Sequence, residues 1–173
     1  MNTVITTLLE VIKYSVPALI VFFTINSIMK KYLNQQYNME ALKFKQDQYK
    51  EIMPLKFQAY ERLALFLERI KPQQLIFRLR NTESSADSLK TSLLIAVEKE
   101  YEHNLTQQVY VSDKLWQIVS LAKEDTLALI SSIQADDVQT YISQILAQHA
   151  GQALNPIDQA LSAIKKEVEI VSS

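Results

Sequence analysis

The sequence predicts an all-α protein: one N-terminal transmembrane helix that continues into a helical stalk, then an antiparallel bundle of about five helices. Three observations carry this. Only one glycine, Gly151, occurs in 173 residues, where a sheet protein of this size would need many turn glycines. Beyond residue 54 the apolar residues recur at helical spacing. And Val11 to Met29 reads VIKYSVPALIVFFTINSIM, followed at once by Lys30 and Lys31. The expected boundaries are an anchor over 1–29, a stalk over 30–53 and a bundle over 54–173.

The span comes first. Tyr14 to Met29 is free of charge for 16 residues. That is about 24 Å of helix, short of a hydrocarbon core of roughly 30 Å. The span therefore begins near Leu8 or Leu9 and takes in Glu10 and Lys13, which are three apart and can pair on one face. The Lys13 ammonium can reach back to the near headgroups. A cleaved signal peptide fits poorly, with no basic stretch ahead of the apolar run and no small-x-small site after it. A buried amphipathic helix of a soluble domain is the other reading, and it fits poorly because nothing polar interrupts the run from Val16 to Thr24. Lys30, Lys31, Lys43 and Lys45 on the C-terminal side place residues 30–173 in the cytoplasm by the positive-inside rule. Within the span, Pro17 predicts a kink, and Asn26 and Ser27 predict packing against a neighbouring membrane helix.

From Lys30 to Met53 there is neither proline nor glycine. Tyr32, Gln35, Met39, Leu42, Gln46, Tyr49 and Met53 follow a 3, 4 alternation. Two readings stay open at this point, a coiled-coil seam weakened by two glutamines and a helix packed on its own bundle.

After Pro54, Leu63, Phe66, Leu67 and Ile70 predict a helix ending near Pro72. A second runs from about Ser88 to Gln107 on the stripe Leu89, Leu93, Val97, Tyr101 and Leu105, with Ser84 and Asp87 as a capping box. A third is capped by Ser112, with Asp113 at its positive end and Val111 and Trp116 at the spacing of a hydrophobic staple. A fourth starts at about Asp137, and Gly151 is expected in the left-handed position that closes it. The last has Asn155 as cap and Pro156 as its first residue. Its apolar residues, Leu154, Ile157, Leu161, Ile164, Val168 and Val171, form a narrow seam that suits either the edge of a bundle or a second chain.

The net charge is −1 but unevenly spread: +2 over 1–53, +4 over 54–80 and −7 over 81–173. The basic residues of 54–80, among them Arg62, Arg69 and Arg78, suit an anionic leaflet at up to about 1 kcal/mol each if they lie near it. A solvated face is the plainer account. Nucleic acid is not expected as a partner, since acids are interleaved with the bases.

No enzyme chemistry is expected. Without cysteine there is no thiol nucleophile or thiolate metal site, and one glycine cannot build a phosphate-cradling loop. Glu100 and His103 form a Glu-x-x-His pair of the kind used in di-iron bundles, but His149 has Leu146 three residues before it, so the second copy is missing. No metal and no cofactor is predicted.

The stretches FQAYERLALFLERIKPQQLIFRLR (Phe57 to Arg80) and EYEHNLTQQVYVSDKLWQIVSLAKE (Glu100 to Glu124) resemble an uncharacterised family of bacterial single-span inner-membrane proteins with a helical cytoplasmic domain. The resemblance implies that layout and no activity. The density of polar groups singles out Tyr60, Glu61, Arg62, Glu102, His103, Asn104 and Gln108 as an internal polar network or a partner surface. The function expected is a non-enzymatic, membrane-anchored scaffold or accessory subunit of an inner-membrane assembly. Its partners would be the lipid bilayer and either another membrane protein or further copies of itself. The alternative is a tethered sensor that binds a small ligand or lipid in its bundle.

Overall fold

The structure is a computed structural model that describes residues 2–80, 85–152 and 154–172. Among the described residues it is all-helical, with six α-helices and no strand. They are α1 (Asn2–Arg69), α2 (Pro72–Leu79), α3 (Ala86–Asn104), α4 (Asp113–Ser132), α5 (Val138–Ala150) and α6 (Pro156–Ser172). The chain divides into two compact units, Met1–Glu51 and Ile52–Ser173.

The first unit is a single stretch of α1. Every described side chain in it is exposed, including Ile20, Phe22, Phe23 and Ile25 in the apolar run and Tyr32, Met39 and Leu42 beyond it. Pro17 sits inside α1 without ending it, as does Pro54 in the second unit. α1 is long and apolar enough near its N-terminus to cross a membrane, and none of its apolar window is buried within the chain.

The second unit gathers one apolar core. α1 contributes Leu63, Phe66, Leu67 and Ile70, at the helical spacing that puts them on one face. α3 brings Leu89, Leu93 and Val97 from its i, i+4 stripe, and α4 brings Leu115, Val119 and Ile130. Tyr141 and Ile145 enter from α5, and Ile157, Ala160 and Ile164 from α6. The α6 seam is thus spent largely inside this unit, against α4, while Leu154 at its start stays exposed.

Local chemistry sets the helix ends. Ser112 Oγ accepts the Leu115 N–H at 3.2 Å and starts α4, and Asp137 Oδ1 accepts the Thr140 N–H at 2.9 Å and starts α5. Those bonds hold the Asp137 carboxyl below its usual pKa. Asn155 Oδ1 accepts the Ile157 N–H at 3.0 Å just ahead of Pro156.

α1 closes at Arg69, near Pro72 as expected, and Pro72 itself opens α2, taking the first position, where its missing N–H is no loss. Three expectations are corrected. Ser84 lies outside the described residues, and the cap of α3 is Ser85, whose Oγ accepts the Ser88 N–H at 3.2 Å. α3 ends at Asn104 rather than Gln107, because the chain tightens into a 3₁₀ turn over Leu105–Val109. Gly151 is not left-handed: its φ of −79° and ψ of −9° are right-handed, with its N–H bonded to the Ala147 carbonyl at 3.0 Å.

The Gly151 geometry makes an expectation about stability. A Cβ there would stand 3.4 Å from the Ala147 oxygen, ordinary contact, and the backbone is one that any residue adopts. Gly151→Ala should therefore stabilise the protein by about 0.4–1 kcal/mol through the unfolded chain, where a left-handed position would lose stability. Chemical denaturation of the two proteins checks the sign.

Candidate functional site

Three polar clusters tie the helices of the second unit together. The first stands on Glu100 of α3, whose side chain is only 16% exposed. Arg69 Nε at the end of α1 and Arg78 Nη1 of α2 both reach Glu100 Oε1, at 3.0 and 3.3 Å. Arg78 Nη2 also donates to the Arg69 carbonyl at 2.7 Å, placing a cation on the negative end of α1. One turn on, Asn104 Nδ2 donates to the Glu100 carbonyl at 2.8 Å. A cleft of about 80 Å³ opens beside the cluster, lined by Arg62, Phe66, Arg69, Glu100, His103 and Asn104 among others. Organic ligands occupy sites of about 300–1,000 Å³, so this one has room for water and little more.

The second cluster centres on Glu167 of α6. Its Oε1 accepts the Ser112 N–H at 2.9 Å and the Tyr60 hydroxyl at 3.1 Å, and the Ser112 hydroxyl donates to Oε2. A carboxylate thus sits at the N-terminus of α4, where unpaired N–H groups and the helix dipole favour negative charge. Alongside runs a groove of about 530 Å³ between α4 and α6, with Leu115, Ile118, Ala163 and Ile170 on its apolar side and Lys114 and Lys166 on its rim.

The third is built around the buried Lys123 of α4. Its ammonium meets Glu124 at 3.1 Å and Glu98 at 3.3 Å and lies 4.5 Å from the centre of the Tyr101 ring. Tyr101 in turn stacks on Trp116 at 5.5 Å and touches Ser120 Oγ through its hydroxyl at 3.3 Å. Burial pulls the Lys123 pKa down, but the bonds and charges of Glu124 and Glu98 outweigh it and leave it raised. A lysine held cationic in this way is unsuited to act as a base or nucleophile.

Of the residues singled out from the sequence, Arg62, His103 and Asn104 meet at the small cleft beside Glu100. Tyr60 belongs to the Glu167 cluster instead. Glu61, Glu102 and Gln108 are exposed, and Glu102 borders a separate shallow groove between α3 and α4. Pro17, Asn26 and Ser27 are exposed on α1. Sequence reasoning missed Glu167, Lys123 and the role of Glu100, which sits one position off the Leu93, Val97, Tyr101 stripe. Glu100 is spoken for by two guanidinium groups, and among the described residues no three of His, Asp and Glu are placed to hold a metal ion.

His149 is a further buried titratable group. Asn155 Oδ1 is used by the Ile157 N–H, so its amide Nδ2 faces His149 Nε2 at 3.2 Å and donates to it, which fixes the neutral ring with its proton on Nδ1. Burial lowers the His149 pKa, opposed by Asp158 and Asp125 and assisted by Lys71.

Two expectations follow from this geometry. Because the folded protein holds His149 below its ordinary pKa of 6.5, the stability it secures is present above that value and is lost as pH falls beneath it. His149→Gln should therefore flatten the decline of stability between pH 7 and 5, read by denaturation at stepped pH with His103 intact. In the first cluster, Glu100→Ala should cost about 1–2 kcal/mol, partly screened because both arginines are partly exposed. Glu102→Ala and His103→Ala should each stay within about 0.5 kcal/mol. Equal losses at all three positions would show that the clamp is not centred on Glu100.

Searches of curated proteins and of solved structures find no match to this chain. A family described as a family of unknown function, DUF7935, matches residues 6–171. The match runs from residue 6, within α1, to nearly the end of α6, and the chain belongs to this uncharacterised family.

Proposed function

We propose that this chain is a non-enzymatic, membrane-anchored scaffold or accessory subunit of a bacterial inner-membrane assembly. In this reading residues 1–29 hold the span, 30–53 form a stalk, and 54–173 form an antiparallel helical bundle of about five helices in the cytoplasm. The observation that carries it is the uncovered apolar run of α1, from Leu8 to Met29, in which every side chain is exposed within the chain. Covering one Leu, Ile, Val or Phe side chain is worth about 1.5–3 kcal/mol. Leaving Leu19, Ile20, Val21, Phe22 and Phe23 in water together would cost about as much as a domain's whole stability. Lipid removes that cost, and Lys30 and Lys31 directly after the run supply the cytoplasmic flank.

The three polar clusters support the non-enzymatic part. Each charged group at their centres is occupied by partners on neighbouring helices, which suits a rigid body better than a reacting centre. A second reading, a tethered sensor for a small ligand or lipid, has the groove between α4 and α6 in its favour, since about 530 Å³ with an apolar side and a basic rim is of ligand size.

Alkaline carbonate extraction of native membranes, with a reporter fused after Ser173, tests the anchor and its direction. The protein should stay with the vesicles and the reporter should be active only on the cytoplasmic side. Release by carbonate, or a reporter active only outside, would sink the proposal. Purification in mild detergent should bring down stoichiometric membrane protein, and a lone monomer would count against the scaffold and favour the sensor.

A further inference from the structure

We propose that residues 25–49 of α1 form a parallel, in-register, two-stranded coiled coil with a second copy of this chain. The parallel direction rests on the membrane reading above; the pairing itself does not.

The seam is Tyr32, Gln35, Met39, Leu42, Gln46 and Tyr49, spaced alternately 3 and 4 along a continuous helix. That spacing places them on one stripe, at the positions called a and d in a heptad repeat. Along this stripe Tyr32, Met39 and Leu42 are all more than half exposed. The same register runs back through Ile28 and Ile25 into the apolar run without a break. A helix that covers the stripe therefore continues alongside into the span, and two chains anchored in one bilayer from the same side meet in parallel.

The glutamines select a second copy as that helix. Gln35 falls at a d position and Gln46 at an a position. A carboxamide both donates and accepts, so each glutamine facing its own counterpart finds a partner for both functions. Identical helices in register align the two polar layers and all the apolar ones automatically. A shift of one heptad layer would bury a glutamine against Met39 or Leu42, so the polar layers also fix the register. A different partner would need polar groups at the same two layers.

Flanking charge sets the strength. In the parallel pair Lys45 lies beside Lys50 of the other copy, a like-charge contact. Lys50 is already paired with Asp47 on its own helix at 3.5 Å, and the site is fully solvated, so the repulsion is weak. It also offers a lever, because Lys50→Glu turns this contact into an attraction without touching the seam.

The chain contains no cysteine, so single substitutions report proximity without background. Full-length Met39→Cys and Leu42→Cys proteins, oxidised in their membranes, should form disulfide-linked dimers several-fold more than Ala41→Cys and Phe44→Cys, which lie on the opposite face. Adding Lys50→Glu to Leu42→Cys should increase the linked fraction further. Equal linkage at all four positions, linkage only at Ala41 and Phe44, or none at any of them would overturn the pairing, the last also being the outcome if a different protein covers the seam. Carbonate extraction of the same membranes separates the two readings. Retained protein without seam linkage sinks the pairing and spares the anchor; released protein that still links at the seam does the reverse.

Discussion

The physical constraint from which everything else follows is that the described apolar side chains of the first unit are all exposed. The run from Leu8 to Met29 is exposed on all sides. The second unit fills its own core from Leu63, Leu89, Val119, Ile145 and their neighbours. In the function proposed above, the cover for the apolar run comes from outside the polypeptide, from lipid or from another chain. A protein built this way is defined as much by its surroundings as by its own packing.

Within the second unit the decisive contacts are polar ones placed where helices end. Arg78 donates to the last carbonyl of α1, Lys90 donates to the carbonyls of Ser131 and Ile133 at the end of α4, at 2.7 and 3.0 Å, and Glu167 receives the Ser112 N–H at the start of α4. Each satisfies backbone groups that a helix cannot satisfy itself, and each puts charge of the favourable sign on the helix dipole. Of the residues singled out from the sequence, Tyr60 joins these ties through its bond to Glu167, and Arg62, His103 and Asn104 line the small cleft beside Glu100.

How much of this could be read in the residues depends on how local the cause is. The caps at Ser112, Asp137 and Asn155 are legible, because a cap is a side chain two or three residues from the amide it serves. The core stripes of α1, α3 and α4 are legible from spacing. α2 is harder: eight residues carry too few apolar positions to show a period, and Pro72 reads equally as a stop or a start. Gly151 misleads for the opposite reason, since glycine permits the left-handed turn without requiring it. The Arg69, Arg78 and Glu100 clamp is not legible at all. Its members lie 9 and 22 residues apart across two helix breaks, and only the tertiary fold brings them to one oxygen. Among the candidates, Arg62, His103 and Asn104 converge while Glu61, Glu102 and Gln108 face solvent, a division that polar density alone cannot make.

The Glu167 carboxylate bonds at once to Tyr60 of α1 and to Ser112 at the head of α4. The last helix therefore finishes the first turn of one begun 55 residues earlier. Removing the end of α6 from Glu167 onward would therefore leave the Ser112 N–H and the Tyr60 hydroxyl to water, so the tail of the chain and the head of α4 stand or loosen together.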